Sequence, residues 1–393
     1  MKHHAGLIGL LLIGVASFAY AMFQGGFVSW FLLYAIIPFL IFALIIYFYP
    51  VRKMTVEREL TSGELTRGQT LEVTLHITRN DWWPLYYMKV RDYPPFEDYE
   101  PKQRIVFVGF RRSITLTYAI EKLPRGIYVF DDVELELVDL LGWLRKSWIV
   151  SSPHQITVYP RVTDLFYTPI ASNYDQGAAR ARFQAHKENS VATGVREYQP
   201  GDRVSWIDWK SFAKSQTLRT KDFEDRQAQD TLLYLDRTEG QSFDDAIDFT
   251  LSVVHAMEKS DSTGAFIIPG SKGMMLTSVQ HQGHVERAKR ELATTEAIEA
   301  QAMRRLISED KRLGTFKGII CITAYLEKAR IEALTHMTPN LREGICFVVK
   351  GENAPRLTSA ELPVEEYAKA RGWSVITVSP SQFPDAFGEV AKR

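Results

Sequence analysis

The first fifty residues carry almost no charge, and this constrains the fold more than any other feature of the sequence. Asp, Glu, Lys and Arg are absent from Ala5 to Pro50, although charged residues make up 24% of the chain. A Gln24-Gly25-Gly26 turn separates apolar runs at 5–23 and 27–49. As helices these runs would rise roughly 28 and 34 Å, enough for a hydrocarbon core of about 30 Å. The sequence therefore predicts a transmembrane helical hairpin within residues 1–54.

Basic residues flank this hairpin on its outer sides only. Lys2 precedes the first run, Arg52-Lys53 follows the second, and the connection is uncharged. Since basic residues stay on the cytoplasmic side, we expect a two-span protein of the cell membrane with both termini in the cytoplasm. The alternative is a cleaved signal peptide ending near Ala19-Tyr20-Ala21, and the second long apolar run argues against it.

Residues 55–160 have the pattern of short strands. Apolar and polar residues alternate at 71–77, 105–110, 114–118 and 133–137, and turn signals such as Ser152-Pro153 separate such segments. Alternation with period two is typical of strands that bury one face. We expect an all-β, sandwich-like domain here.

Beyond a connecting segment at 161–229, the pattern changes to alternating strands and helices. The predicted domain at 230–393 has apolar strands covered by amphipathic helices, which indicates a doubly wound, mostly parallel sheet. Its predicted strands are 231–235, 265–268, 318–323, 344–349 and 373–378, and its predicted helices are 243–259, 284–307, 326–337 and 363–371.

Several classes of protein are excluded by composition and motif. Forty-seven basic residues against forty-seven acidic ones leave no net charge, so nothing favours a nucleic-acid partner. Two cysteines, Cys321 and Cys346, each within an apolar run, exclude a disulfide scaffold. The sequence also lacks a phosphate-binding P-loop, a serine nucleophile elbow and a zinc motif.

The segment after the first predicted strand of the α/β domain could hold a ligand, because parallel sheets bind ligands beyond the carboxyl ends of their strands. It reads Asp236-Arg-Thr-Glu-Gly240 and resembles the Asp-x-Ser-x-Ser of von Willebrand factor type A domains. That resemblance implies a site for Mg²⁺ or Mn²⁺ with Asp236 and Thr238 as ligands. Gly240 lacks the second hydroxyl, however, and Thr323-Ala324-Tyr325 lacks a further aspartate. The alternative is that Asp236 ends a strand or caps the helix near Phe243.

A second resemblance covers nearly the whole chain. Residues 194–226 resemble the signature of the domain-of-unknown-function-58 family, and upstream Arg125-Gly126, Asp139 to Trp143 and Val158 to Arg161 resemble further elements in the same order. The signature or candidate partner-binding residues are Arg196, Glu197, Tyr198, Pro200, Gly201, Asp202, Trp206, Asp208, Trp209, Lys210, Phe223 and Glu224. Charges in the segment nearly balance beside aromatic residues, which favours a structural lock between domains or a partner-binding surface over a catalytic or nucleic-acid site.

The apolar hairpin and the absent enzyme motifs favour a membrane-anchored, non-enzymatic interaction protein, and the family resemblance implies that it works with a MoxR-type AAA+ ATPase at the cytoplasmic face. It also implies a transglutaminase-like membrane protein as a partner in assembly or envelope-related processes. Two alternatives stay open. One is a hydrolase-like enzyme that holds a divalent ion between Asp236, Asp202 and Glu197. The other is a protein that binds envelope material outside the cell.

Overall fold

The structure, a computed structural model, describes residues 2–390 except 62, 97–98, 140–141, 143, 169–190, 198–208, 210–211, 213–217, 225–230, 261–263, 271–274 and 277–281. The chain forms two compact units, Met1–Tyr159 and Pro160–Arg393. Each unit is described by itself.

The first unit begins with two antiparallel helices. Helix α1 is Lys2–Gln24 and helix α2 is Phe27–Phe48, close to the runs predicted at 5–23 and 27–49. Gly25 and Gly26 connect them with φ of 58° and 88°, a backbone that favours glycine. Pro38 lies inside α2 without ending it. By length and composition, both helices could cross a membrane.

Strands form the rest of the first unit. The described residues contain a sheet of order β1-β3-β6 and a sheet of order β2-β8-β7-β4-β5. Inward-facing residues of both sheets belong to one buried cluster. The strands are β1 Met54–Leu60, β2 Leu65–Thr66, β3 Leu71–Arg79, β4 Leu85–Asp92, β5 Lys102–Gly109, β6 Ser113–Ile120, β7 Gly126–Val138 and β8 Arg145–Tyr159.

One expected strand break is wrong. Ser152-Pro153 lies inside β8, which pairs with β7 on both sides of the proline. The register shifts between Phe130 and Asp132, opposite this point, so Pro153 sits at an irregularity. Because an irregular position needs no ladder hydrogen bond, a residue without an N–H is tolerated there.

A buried ion pair joins the two sheets. Arg58 of β1 contacts Asp92 of β4 at 2.7 Å, and both side chains are 1% exposed. Tyr118 of β6 donates a second hydrogen bond to Asp92, at 2.6 Å. Burial and the Asp92 charge raise the pKa of Tyr118 far above its ordinary value, so this phenol stays a donor. The network pairs the buried charge of Arg58 with that of Asp92, and burial would disfavour either charge alone.

The second unit contains the α/β sheet. Among the described residues six strands pair in the order β13-β12-β11-β14-β15-β16, with β13 antiparallel to β12 and the others parallel. The strands are β11 Thr231–Leu235, β12 Gly264–Ile267, β13 Met275–Leu276, β14 Gly318–Thr323, β15 Glu343–Val349 and β16 Trp373–Val378. The helices are α3 Phe243–Lys259, α4 Gln282–Thr294, α5 Ala300–Glu309, α6 Lys328–Met337, α7 Leu362–Ala370 and α8 Ala386–Val390.

The long helix expected at 284–307 is two helices, α4 and α5. Residues 295–299 leave the helix because Ile298 pairs with the segment after β11: its N–H donates to the Arg237 carbonyl at 2.8 Å, and its carbonyl accepts from the Glu239 N–H at 3.1 Å. Arg237 extends this contact, since its guanidinium donates to the Glu296 carbonyl. A tertiary contact therefore interrupts a helical pattern that continues in the sequence.

Candidate functional site

Polar side chains collect where three neighbouring strands end. Asp236 follows β11, Thr323 ends β14 and Lys350 follows β15, and these strands are adjacent in the sheet. Since the strands are parallel, all three residues lie at the carboxyl edge of the sheet, as the sequence predicts for Asp236. We call Asp236, Thr238, Thr323, Tyr325, Arg330, Lys350 and Glu361 the edge cluster.

Both carboxylate oxygens of Asp236 are engaged. Oδ1 accepts hydrogen bonds from the backbone N–H of Thr238 at 3.0 Å and from its hydroxyl at 2.7 Å. Oδ2 lies 2.8 Å from the Thr323 hydroxyl and 3.2 Å from Nε of Arg330. The structure thus brings together the two predicted ligands, Asp236 and Thr238, and adds an arginine.

Arg330 comes from α6 and is buried, with 3% of its side chain exposed. Its Nη2 donates to the Tyr325 carbonyl, and its Nε also faces Glu327 at 3.6 Å. The guanidinium therefore holds Asp236 on one side and the loop after β14 on the other. A charge buried this deeply needs such partners, because desolvation disfavours it otherwise.

A second buried ion pair holds the other end of this loop. Nζ of Lys350 lies 2.7 Å from Oε1 of Glu361, whose side chain is fully buried. Glu361 also accepts from the N–H of Leu326 at 2.9 Å and from Thr358. Burial raises the pKa of Glu361, but the hydrogen bonds from Lys350, Leu326 and Thr358 outweigh it, so the pKa lies below that of an ordinary glutamate.

Tyr325 lies between the two ion pairs. The Arg330 guanidinium is 5.9 Å from its ring centre and the Lys350 ammonium is 5.7 Å from it. The ring is 38% exposed, so the edge cluster presents an aromatic surface to solvent above two buried cations.

These donors do not fit a divalent cation. The cluster offers two carboxylates: the oxygens of Asp236 already face two hydroxyls, an amide and a guanidinium, and Glu361 is paired with Lys350. At position 240 an added Cβ would lie 3.0 Å from Cβ of Ala324, so the missing second hydroxyl has little room. Within the part of the chain that the structure describes, no group of three or more His, Cys, Asp or Glu could hold a metal. Binding of Mg²⁺ or Mn²⁺ by Asp236 and Thr238 stays a prediction.

The family signature lies partly within the described residues. Arg196-Glu197 ends strand β9, Val191–Glu197, and Phe223-Glu224 ends strand β10, Arg219–Glu224. The strands form an antiparallel hairpin in which Glu197 pairs with Arg219 and Arg196 with Thr220. Phe223 pairs with Ala192 and Glu224 with Val191, so the two signature pairs lie on neighbouring strands but at opposite ends of the ladder. Seven predicted residues lie outside the description: Tyr198, Pro200, Gly201, Asp202, Trp206, Asp208 and Lys210.

Trp209 is the aromatic residue of the signature whose side chain the structure describes. It lies at a helical position and is 58% exposed. Phe212, three residues on and also helical, is 37% exposed, and the rings meet edge to face with centres 6.2 Å apart. Because the two rings are in contact, Trp209 and Phe212 form one aromatic patch. Buried aromatics would point to a structural lock; exposed ones are typical of a contact surface.

Three residues of the edge cluster and one of the aromatic patch were not predicted as site residues from the sequence. Arg330 and Glu361 lie on or at helices whose charges look like solvated faces, and Lys350 follows a strand without a motif around it. Phe212 lies inside the signature, where its spacing from Trp209 was an available signal. The hydrolase-like alternative also needs Asp202, which lies outside the described residues.

Comparisons with known proteins agree with the signature. Residues 194–339 match the family model described as "Protein of unknown function DUF58". The "Uncharacterized protein YeaD" of Bacillus subtilis (strain 168) is 32% identical over 310 residues, which cover 77% of this chain and 78% of that protein.

Two solved structures are each similar to about a quarter of this chain. The CARDB domain of the PF1109 protein from Pyrococcus furiosus is 20% identical with a TM-score of 0.18, covering 25% of this chain and 91% of that one. Spo0M, a sporulation control protein from Bacillus subtilis, is 13% identical with a TM-score of 0.16, covering 27% of this chain and 49% of that one. Scores of this size do not establish a shared fold.

Proposed function

This chain belongs to the DUF58 family of proteins of unknown function, and from that premise we propose that it is a membrane-anchored, non-enzymatic interaction protein. In this proposal α1 and α2 are the anchor, and the first unit's two sheets are a β-sandwich next to the membrane. The second unit is a von Willebrand factor type A-like domain. The strand order of its six-stranded sheet, 3-2-1-4-5-6 when the strands of that sheet are counted along the chain, supports that assignment.

The observation that carries the proposal is the exposed pair Trp209 and Phe212. Adjacent large aromatic side chains in water are costly to leave uncovered, and they are enriched where proteins bind partners. The pair lies inside the family signature. We infer that this part of the signature is a partner-binding surface and not a lock between domains.

The edge cluster supports a non-enzymatic role. Its charges are paired with one another and its Asp236 carboxylate has no free oxygen for a substrate or water. A general base needs an accessible acceptor, so this arrangement favours a rigid scaffold around Tyr325.

The partner comes from the family resemblance: a MoxR-type AAA+ ATPase, together with a transglutaminase-like membrane protein. The proposal puts both termini in the cytoplasm, where such an ATPase works, because Lys2 and Arg52-Lys53 flank the hairpin. Protease treatment tests this orientation. The C-terminus should be protected in intact cells and digested in inverted membrane vesicles, and the reverse result would favour the envelope-binding alternative.

Affinity capture tests the proposed function. Full-length protein, solubilised in mild detergent from its native membrane, should retain a AAA+ ATPase that mass spectrometry identifies, and retention should fall with Trp209→Ala. Leu362→Ala, which removes an exposed apolar side chain from the start of α7, is the matched control. Absence of any AAA+ ATPase from the wild-type capture would contradict the proposal.

A further inference from the structure

A surface of exposed aromatic side chains lies on the first unit, beside the end of α2. Its members are Trp82, Trp83, Tyr87, Phe107 and Phe110, which come from the β3–β4 connection, β4, β5 and the β5–β6 turn. Trp82 is 69% exposed and Phe110 is 72% exposed. Water-exposed patches of this kind mark surfaces that another phase or molecule covers. We call these five residues the aromatic rim.

The rim is fixed to the end of α2 by a hydrogen-bond chain. The Tyr49 hydroxyl, one residue beyond α2, donates to Asp81 at 2.6 Å, and Asp81 pairs with Arg79 at 3.1 Å. Arg79 then donates to the carbonyls of Trp83, Gly109 and Arg111. One buried guanidinium thus joins both loops of the rim, and this fixes the position of the loops along the axis of α2.

Lys146 makes a second connection at the same place. Its Nζ donates to the carbonyl of Tyr47 at 3.0 Å and to that of Tyr49 at 2.8 Å. Carbonyls at the end of a helix lack partners within the helix and attract cations. Burial lowers the pKa of Lys146. The sheet therefore caps α2 directly.

Packing shows how far along α2 the rim reaches. Phe42 of α2 meets Tyr86 edge to face with ring centres 5.9 Å apart, and Tyr86 in turn contacts Tyr87 and Phe107 of the rim. Phe42 lies six residues before Phe48, the end of α2, which is about 9 Å along the helix axis. Tyr87 and Phe107 of the rim therefore lie beside the final turns of the helix, and the loops that carry Trp82 and Phe110 lie at its end.

From this geometry we infer that the aromatic rim is immersed in the headgroup and upper acyl region of the membrane that holds α1 and α2. The inference rests on the proposed anchoring. If α2 spans the hydrocarbon core, a surface about 9 Å back along its axis lies at the depth where aromatic side chains concentrate. Arg111 and Arg112, exposed and next to Phe110, would face the headgroups and favour an anionic lipid surface.

The test uses full-length protein reconstituted into vesicles of phosphatidylcholine and phosphatidylglycerol. Single cysteines at Trp82→Cys and Phe110→Cys carry an environment-sensitive dye, and brominated lipids are the quencher. Cys321 and Cys346 are buried, so the wild type gives the labelling background. Phe31→Cys, on an exposed face of α2, reports on insertion of the hairpin.

Val129→Cys is the matched control on the same sheet. Val129 is exposed and lies nine residues along β7 from Val138, which pairs with Tyr87 of the rim. That separation is roughly 30 Å at 3.4 Å per residue. We expect quenching at 82 and 110 comparable with that at 31, and none at 129. In Arg111→Gln/Arg112→Gln, quenching at 110 should depend less on phosphatidylglycerol.

The outcomes distinguish the proposed membrane anchor from the proposed immersion of the aromatic rim. Quenching at 31 without quenching at 82 or 110 would overturn the immersed rim and leave the anchor standing. No quenching at 31 would overturn the anchor and, with it, the rim. Equal quenching at 129 and 110 would also contradict the inference, because the whole unit would then lie against lipid.

Discussion

Nε of Arg330 lies 3.2 Å from Oδ2 of Asp236, and both side chains are buried. The carboxylate that sequence resemblance assigns to a metal ion therefore faces a cation supplied by α6. Thr238 and Thr323 complete its shell. The edge of the sheet is consequently held by protein charges, and Tyr325 is exposed above them.

Removal of Arg330 should destabilise the second unit severely. Arg330→Met leaves Asp236 buried without its cation, which costs about 3–5 kcal/mol in the free energy of unfolding. Chemical denaturation of the full-length protein in detergent, followed by circular dichroism, measures the loss. Lys328→Met, on the same helix with an exposed side chain, is the control and should change stability by less than about 0.5 kcal/mol. Equal effects of the two substitutions would contradict a structural ion pair.

Divalent ions should not bind at Asp236 in the wild type. The guanidinium takes the place that a cation needs, and the carboxylate has no oxygen free. Calorimetric titration with Mg²⁺ and Mn²⁺ should show no heat that Asp236→Ala abolishes. Binding at millimolar ion that disappears in Asp236→Ala would restore the metal prediction for Asp236 and Thr238.

Acid should weaken the Glu361 network. The folded pKa of Glu361 lies below its unfolded value of about 4.3, so the folded state binds fewer protons and the ionised carboxylate stabilises the fold. This stability is fully present above about pH 4.3 and is lost as the pH falls through the lower, folded pKa. The difference in unfolding free energy between wild type and Glu361→Gln should be constant from pH 7 to 5 and shrink below that. A difference that grows on acidification would contradict the assigned direction.

A side chain at position 240 should crowd Ala324. The added Cβ would lie 3.0 Å from Cβ of Ala324, so Gly240→Ser should cost roughly 1–3 kcal/mol in the free energy of unfolding. Thermal unfolding of Gly240→Ser in the wild-type background and in Ala324→Gly measures the coupling. The cost should fall in the second background. An identical cost in both would show that the crowding lies elsewhere.

The sequence predicted the bounds of strands better than it predicted which side chains are in contact. β11, Thr231–Leu235, and β14, Gly318–Thr323, match their expected bounds, because continuous apolar runs between polar residues mark buried parallel strands. Asp236 and Thr238 were predicted as one site because they lie two residues apart in the chain. Arg330 was missed because one arginine on an amphipathic helix looks like any solvated charge.

The two wrong predictions about the fold also arise from contacts between residues distant in sequence. Residues 295–299 continue a helical pattern, and only the pairing of Ile298 with the segment after β11 ends α4. Pro153 looks like a strand break, and only the irregular register opposite it in β7 shows why β8 continues. In each case a partner distant in sequence decides the local structure.

If Trp209 and Phe212 contact a AAA+ ATPase, a photo-crosslink from this pair should join the two proteins. A photo-crosslinking phenylalanine analogue replaces Phe212 in the full-length protein, with the same analogue at the more exposed Leu362 as the control. After irradiation of intact cells, we expect mass spectrometry to identify a MoxR-type AAA+ ATPase joined to position 212 and not to 362. No crosslink at 212, or equal crosslinks at both positions, would contradict a partner-binding surface at Trp209 and Phe212.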